Sequence, residues 1–341
     1  MGDKPQCLFL FSDAAFNSIF SEQMQERLAS VVDIQRVKNA DAKPNLAGVE
    51  ICVSWDDSPA VVSPVNKLDL IIHCGLTPNN VFPTLDVPTA WSNQPGLSDR
   101  PGPRSWDNAG LQRFSGGHWE TTTAISVSTN GPKLAVLSEP LERAIAEKLL
   151  AVVVMATCSE DFGKRQDDLD DGTTSVLATM DQDFHDVNVG IVGWSGPVVA
   201  LCRLLRNYEI GLLIHDPDIT GQAAHEMGTL VVPNIRELAH EADVLVLLPY
   251  RNTERPNPGI ELWSELSVKS PVVVLNQGLV NKSAFSEFKG NVIVGVDESN
   301  EPNLSEMSNV LYVPGMDGVL PNSLNRVGRQ IVDVIHHCVS I

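Results

Sequence analysis

Short apolar runs alternate with amphipathic segments along most of this chain. Runs rich in Val, Ile and Leu predict strands that are buried on both faces, and apolar residues at helical spacing between them predict helices. Strands that alternate with helices in this way predict an α/β fold with parallel sheets. The predicted strands cover 7–11, 31–37, 49–53, 68–73, 87–91, 187–192, 211–216, 230–232, 243–249, 272–276, 291–296 and 310–313. The predicted helices cover 21–29, 138–158, 223–227, 235–241, 260–266, 283–288 and 324–337.

One long stretch breaks this alternation. Residues 93–137 are rich in Gly, Pro, Ser and Asn at their start and predict a long loop insertion, which in a compact chain is usually a lid, a binding loop or a disordered segment. The insertion divides the chain into two predicted domains. Residues 1–92 with 320–341 form the smaller one, and residues 138–319 form the larger one.

The most informative stretch runs from Val187 to Asp216. A β-branched run meets a Gly-rich turn, an amphipathic segment follows, and a second apolar run ends at Asp216. This is the layout of a βαβ dinucleotide site, in which glycines let the backbone approach a pyrophosphate at a helix N-terminus. A carboxylate about 20 residues further on holds the ribose hydroxyls, and Asp216 has that position. The candidate cofactor contacts are Gly193, Ser195, Gly196 and Asp216.

The glycine fingerprint departs from G-x-G-x-x-G at two of its three positions. Gly193 holds the first position, but Ser195 holds the second and Val198 the third. A side chain at the second position hinders the closest approach of backbone to phosphate, and one at the third position hinders packing of the helix on the strand. Gly196 and Pro197 restore part of the turn, since Pro suits the start of a helix. The alternative is a βαβ unit that binds nothing.

Composition narrows the class of protein. The net charge is -19 and the pI is near 4.7, which argues against partners such as nucleic acid or an anionic membrane surface. The six cysteines have neither metal-ligand spacing nor a CxxC pair, so we expect free thiols in a reducing compartment and no metal. Neither a signal peptide nor a membrane span is predicted, and the expected location is the cytoplasm.

A series of short segments begins in the βαβ unit and continues to residue 314. In order they are Val189-Gly190-Ile191-Val192-Gly193, His215-Asp216-Pro217, Ala242-Asp243-Val244, Leu248-Pro249, Gly278-Leu279-Val280-Asn281, Glu301-Pro302 and Asn309-Val310-Leu311-Tyr312-Val313-Pro314. From about 187 to 318 this series resembles the NAD-binding domain of the D-isomer-specific 2-hydroxyacid dehydrogenases, the phosphoglycerate dehydrogenase-like proteins. The resemblance implies a Rossmann-type NAD-binding domain and a smaller flavodoxin-like substrate domain that the C-terminal helix closes. It also implies NAD as the cofactor.

The resemblance assigns binding roles to further residues. Cys74-Gly75-Leu76 resembles the turn whose backbone amides bind the substrate carboxylate in that family. Pro249 and Asp297, each at the end of a predicted strand, fall where the family contacts its cofactor. A small 2-hydroxy or 2-keto acid is therefore the expected substrate.

The family's three catalytic positions are only partly kept. Glu301, before a proline, matches the glutamate that orients the catalytic histidine. Asn276 holds the place of the arginine that binds substrate, and Gly315 holds the place of the histidine that acts as general acid and base. Because Gly315 has no side chain to move a proton, Asp317, Glu301 and His73 are candidate replacements, and an ordinary structural role is the alternative for each.

Three interpretations follow from these substitutions. The chain is an NAD(P)-dependent oxidoreductase with altered acid–base residues, a catalytically inactive relative that keeps nucleotide binding as a sensor or partner-binding module, or a scaffold that has lost the nucleotide as well. The apolar helix predicted over 141–155 is either the surface of a homodimer or an ordinary core helix.

Overall fold

The computed structural model describes residues 4–37, 44–55, 58–61, 68–75, 81–82, 112–116, 121–127, 132–157, 183–217, 219–248, 250, 266, 270–275, 288, 290–296 and 310–339. The chain forms two compact units. The first comprises Met1–Leu141 with Leu320–Ile341, and the second comprises Glu142–Val319. Each unit contains its own sheet.

The described helices are α1 (Asp13–Ile19), α2 (Glu22–Val31), α3 (Glu139–Thr157), α4 (Gly196–Leu205), α5 (Gly221–Glu226), α6 (Ile235–Glu241) and α7 (Pro321–Val339). The strands of the first unit are β1 (Gln6–Phe9), β2 (Asp33–Arg36), β3 (Ile51–Trp55), β4 (Leu70–Cys74), β5 (Gln112–Gly116), β6 (Thr121–Val127) and β7 (Lys133–Val136). Those of the second are β8 (Asn188–Val192), β9 (Gly211–His215), β10 (Leu230–Val231), β11 (Val244–Leu247), β12 (Val272–Val274), β13 (Val292–Val296) and β14 (Val310–Pro314).

The first unit is a doubly wound sheet with the strand order β2-β1-β3-β4-β7-β6-β5. Its first five strands are parallel in the order that flavodoxin-like folds use. Apolar residues of α7, among them Val327, Ile331 and Ile335, are fully buried in one core with Phe9 and Phe16 of β1 and α1. The C-terminal helix therefore completes this unit, and the predicted fold class is confirmed.

The region predicted as a long loop contains strands instead. Within 93–137 the chain forms β5 and β6, which pair antiparallel, and β7, which pairs parallel with β4. The prediction relied on the Gly- and Pro-rich start of this stretch and gave too little weight to the segment from Thr121 to Val127. That segment is rich in β-branched residues, which favour strands. The insertion thus extends the sheet of the first unit.

The second unit is a seven-stranded parallel sheet in the order β10-β9-β8-β11-β12-β13-β14. This is the Rossmann order, with β8 as the first strand of the motif. From β8 the chain winds through α4 to β9 on one side, and it later returns to place β11 on the other side of β8. The strand order therefore reverses between β8 and β11, and a ligand crevice forms at the carboxyl ends of strands at such a point.

The helix α3 is a core helix of the single chain. Its apolar residues pack against those of β8 and α4, which supports the alternative of an ordinary core helix. The buried ones in this core are Ile145, Ala146, Leu149, Val152, Val153 and Ala156. A homodimer stays a prediction. Within the described ranges no helix is long and apolar enough to cross a membrane.

Two differences concern individual elements. The helix α1 was not predicted, because it is only seven residues long and buries only Phe16 and Ile19, too few positions to show a helical period. Its N-cap was a readable signal, since the Ser12 hydroxyl accepts a hydrogen bond from the Ala15 N–H at 3.2 Å. The helices predicted over 260–266 and 283–288 and the strand over 87–91 lie outside the described residues, apart from single positions.

An exposed histidine links the amino ends of β8 and β9. His185 contacts the carboxylates of Asp186 and Glu209, with nitrogen–oxygen distances of 2.9 Å to each. The hydrogen bond to Glu209 and the charge of Asp186 raise the pKa of His185 above its usual 6.5. This cluster lies at the sheet edge opposite the carboxyl ends of the strands.

The raised pKa of His185 predicts a pH-dependent contribution to stability. A histidine whose pKa is higher in the folded than in the unfolded state stabilises the fold fully below the unfolded pKa, and that stabilisation is lost as pH rises through the folded pKa. His185→Asn should therefore be less stable than the parent at about pH 5.5 and equal to it at about pH 8.5. Urea unfolding of both proteins at the two pH values measures this. A stability difference that does not change with pH would contradict the prediction.

Candidate nucleotide-binding site

The turn after β8 has the backbone geometry of a dinucleotide site. Gly193 has φ 95°, in the left-handed region where a side chain is disfavoured, so the glycine at the first fingerprint position is required by the turn. Its N–H donates to the carbonyl of His215 at 3.0 Å. This hydrogen bond ties the turn to the end of β9. The structure therefore brings Gly193, Ser195, Gly196 and Asp216 together at one edge of the sheet.

The two departures from the fingerprint are accommodated differently. Val198 is fully buried in an apolar core that also contains Val189 and Ile191 of β8. Its side chain is therefore part of the packing between α4 and β8. Close packing at β8 depends on another glycine, Gly190. A Cβ built there lies 2.7 Å from the Cβ of Ala242 and 3.0 Å from Cδ1 of Leu245. Val198 is therefore compatible with the fold.

Ser195 is the N-cap of α4, but its hydroxyl does not cap the helix. The residue has φ −149°, an extended conformation open to any residue type. Its Oγ is buried and has no hydrogen-bond partner among the residues that the structure describes. A buried hydroxyl without a partner is costly, and one at a helix N-terminus is placed to donate to an anion.

The first turn of α4 lacks acidic residues of its own. Pro197 contributes no N–H, and Val199 already donates to the carbonyl of Ser195 at 3.1 Å. A carboxylate from another helix approaches this turn. A Cβ built on Gly196 would collide with the carboxyl group of Glu142, on α3, so the glycine leaves the space that this carboxylate occupies.

Asp216 follows β9 directly and is only 4% exposed. It lies beside the turn because β9 is the neighbour of β8 and pairs with it in parallel register, His215 opposite Val192. Its carbonyl accepts from the N–H of Ile219 at 3.2 Å, which fixes the backbone after the strand. A carboxylate at this position suits the ribose hydroxyls of an adenine dinucleotide.

Sequence reasoning missed two features at this edge. The ring of His215 packs edge-on against Tyr250 at 6.4 Å between centroids, while its Nδ1 lies 2.9 Å from the carbonyl of Val232. Tyr250 follows the strand end Leu248-Pro249, so its position was a readable signal. The contact of Glu142 with Gly196 has no signal in the sequence, because nothing in a distant helical segment indicates which turn its side chain contacts.

Taken together, these residues fit a dinucleotide. The turn has the required left-handed glycine, the helix N-terminus carries a buried hydroxyl that lacks a described partner, and a buried carboxylate follows the neighbouring strand. Within the residues described, His, Cys, Asp and Glu form no group that could hold a metal ion. Burial raises the pKa of the Cys202 thiol on α4 to about 12, so this cysteine is not a nucleophile near the site.

The predicted substrate-binding residues of the first unit lie at the end of β4. His73 is fully buried, and its Nδ1 lies 2.9 Å from the Oγ of Ser54, which is also fully buried on the adjacent strand β3. A side chain so placed must move before it can contact a substrate, and its catalytic role stays a prediction. Cys74 is buried as well, and Gly75 has φ 152°, a backbone conformation that favours glycine.

Several other predicted residues lie outside the described part of the chain. These are Asn276, Leu76, Pro249, Asp297 and Glu301. Gly315, in the place of the family's histidine, is described. It has φ 69° and opens a turn in which the carboxylate of Asp317 accepts from the N–H of Val319 at 3.0 Å. Asp317 therefore has a structural task in the turn.

Comparison with solved structures places the fold among the dehydrogenases. The chain is similar to a phosphoglycerate oxidoreductase from Rhizobium etli, with 13% identity, a TM-score of 0.61, and coverage of 96% of this chain and 93% of that one. It is similar to the D-mandelate dehydrogenase of Rhodotorula graminis, with 12% identity, a TM-score of 0.60, and coverage of 97% and 93%. It is also similar to a 2-hydroxyacid dehydrogenase from Ketogulonicigenium vulgare Y25, with 14% identity, a TM-score of 0.61, and coverage of 98% and 96%.

No family model and no curated protein matches the sequence. The structural similarity extends over nearly the whole chain and confirms, at the level of the fold, the resemblance to D-isomer-specific 2-hydroxyacid dehydrogenases that the sequence predicted. The chain has the fold of this class of enzyme.

The buried hydroxyl of Ser195 gives a test of the site's geometry. Replacing an N-cap serine by alanine normally lowers the free energy of unfolding of a protein by about 1 kcal/mol. Since this hydroxyl lacks a described partner, Ser195→Ala should leave the free energy of unfolding unchanged or raise it. The matched control is Thr220→Ala, at the N-cap of α5 in the same unit, whose hydroxyl accepts from the Ala223 N–H at 3.2 Å. We expect that control to lose about 1 kcal/mol in urea unfolding. Equal losses in the two variants would show that Ser195 has a partner.

Proposed function

We propose that the second unit binds NAD and that the chain is an oxidoreductase acting on a small 2-hydroxy or 2-keto acid, with acid–base residues unlike those of the enzymes that share its fold. The observation that carries the proposal is the convergence of the Gly193 turn, the buried Ser195 hydroxyl and Asp216 at the carboxyl ends of β8 and β9. Its structural neighbours include a phosphoglycerate oxidoreductase and a D-mandelate dehydrogenase, whose substrates belong to this chemical class.

Each of the three groups has a task toward the dinucleotide. The Gly193 turn brings the backbone close to the diphosphate, and the amino end of α4 stabilises its negative charge. The Ser195 hydroxyl donates to a phosphate oxygen, which replaces the closer backbone contact that a glycine would allow. The Asp216 carboxylate accepts hydrogen bonds from the ribose hydroxyls. When bound, the nicotinamide supplies hydride transfer.

Asp216 predicts a preference for NADH over NADPH. Its carboxylate accepts from the 2′-hydroxyl of NADH and repels the 2′-phosphate of NADPH, and hydrogen bonds to charged groups are worth about 1.5–3 kcal/mol. The parent should therefore bind NADH at least about tenfold more tightly than NADPH, and Asp216→Asn should narrow that ratio. Calorimetric titration of both nucleotides measures it.

The control for this prediction is Glu241→Gln. Glu241 is exposed at the end of α6, so the substitution removes one negative charge from the same unit away from the carboxyl ends of the strands. It should leave the nucleotide preference unchanged. Tighter binding of NADPH by the parent would refute the role of Asp216, and the absence of binding by either nucleotide would refute the proposed function.

Gly315 favours a second candidate, a nucleotide-binding protein without turnover. The residue lacks a side chain to shuttle a proton, and its φ of 69° disfavours the histidine that the dehydrogenases have there. A non-glycine residue in the left-handed region costs about 1–2 kcal/mol, so Gly315→His alone does not rebuild the family's site. A protein that binds NAD and transfers no hydride would act as a sensor or partner-binding module.

Turnover distinguishes the two candidates. A positioned acid–base group contributes about 10²–10⁴-fold, and the median enzyme turns over at about 10 s⁻¹. An oxidoreductase that lacks the histidine should therefore turn over below about 0.1 s⁻¹ on glyoxylate, hydroxypyruvate, pyruvate or 2-oxoglutarate, followed by NADH absorbance. Turnover near 10 s⁻¹ would show that another group fully replaces the histidine. Binding of NADH without measurable turnover would favour the second candidate.

A further inference from the structure

The carboxylate of Glu142 lies at the amino end of α4, where the proposed site holds a diphosphate. The contact is defined by Gly196, the first residue of α4, because a Cβ at that position would collide with the carboxyl carbon and both carboxylate oxygens of Glu142. Both residues belong to the second unit. An anionic side chain therefore lies against the first residue of this helix.

Electrostatics favours this placement. A helix N-terminus carries roughly half a positive charge and stabilises a nearby anion. The first turn of α4 has no acidic residue and its N-cap serine makes no side-chain cap, so that turn has no negative group of its own. Glu142 is also the fourth residue of α3 and so lies in the first turn of its own helix. Two helix N-termini therefore favour the same carboxylate.

A second observation points to an anionic ligand at the same place. The buried Oγ of Ser195, the residue before Gly196, lacks a partner among the described residues, although a carboxylate lies against the next residue. Glu142 thus supplies negative charge to the helix without satisfying the hydroxyl that precedes it. A ligand with several oxygens, such as a diphosphate, can use both groups.

We propose that the Glu142 carboxylate and the diphosphate of a dinucleotide compete for the amino end of α4, so that this side chain sets the affinity of the site. The proposal deepens the proposed function and rests on it for the identity of the natural ligand. Two anions at one helix end repel each other strongly at short range, so binding of the diphosphate requires the Glu142 side chain to turn away. The charge at position 142 therefore lowers the affinity of the site for a diphosphate.

The experiment compares Glu142→Gln with the parent, using NADH and inorganic pyrophosphate as probes in calorimetry at low salt. Removing the charge should tighten the binding of each probe at least about tenfold, and the gain should shrink in about 1 M salt because salt screens the repulsion between the two anions. The matched control is Glu147→Gln, on the same helix. Glu147 is half exposed and pairs with Arg143 at 3.0 Å, so its loss should change neither affinity.

Each outcome decides a separate point. Tighter NADH binding in Glu142→Gln, with unchanged binding in Glu147→Gln, supports the competition. Equal NADH binding in the parent and Glu142→Gln overturns it and leaves the proposed function standing. Tighter pyrophosphate binding in Glu142→Gln, with no NADH binding in any variant, supports the competition and overturns the proposed function. No gain for either probe overturns the competition.

A second variant covers the case in which Glu142→Gln does not fold. Glu142→Asp keeps the charge but shortens the side chain by one methylene, which withdraws the carboxylate from Gly196. It should show an affinity gain that is smaller than tenfold for both probes. An affinity equal to that of the parent would overturn the proposal.

Discussion

The parallel sheet of the second unit is the constraint on which its other features depend. Parallel strands cannot be joined by tight turns, so each crossover uses a helix or a long connection and all carboxyl ends gather at one edge. Buried side chains fill both faces of β8 and β11 and leave little room for polar groups there. Polar residues that could contact a ligand are therefore confined to that edge, where the strand order reverses between β8 and β11.

This constraint explains why the fold tolerates a degraded fingerprint. The position of the turn is set by β8 and β9 and by the hydrogen bond from Gly193 to His215, and not by the second and third glycines. Ser195 adopts an extended backbone that needs no glycine, and Val198 packs into the core. Loss of those glycines changes which atoms line the turn, but it leaves the scaffold intact.

The sequence alone predicted the strands of the second unit well, for a physical reason. Strands such as β8, β9 and β11 are buried on both faces, so their apolar runs are continuous and bounded by polar residues or glycine. Features that depend on contacts across the fold were not predictable. Two of these features are contacts between residues that only the tertiary structure brings together, namely Glu142 with Gly196 and Ser54 with His73. A third is the burial of the Ser195 hydroxyl without a partner among the described residues.

The hairpin of β5 and β6 has a consequence for solubility. In a flavodoxin-like sheet β7 would be the last strand, and an outer strand presents unpaired N–H and C=O groups on which another chain can add. Here β6 pairs with β7 from Lys133 to Ala135, and the hairpin moves that outer position to β5. The insertion thus protects the sheet of the first unit from edge-to-edge aggregation at β7.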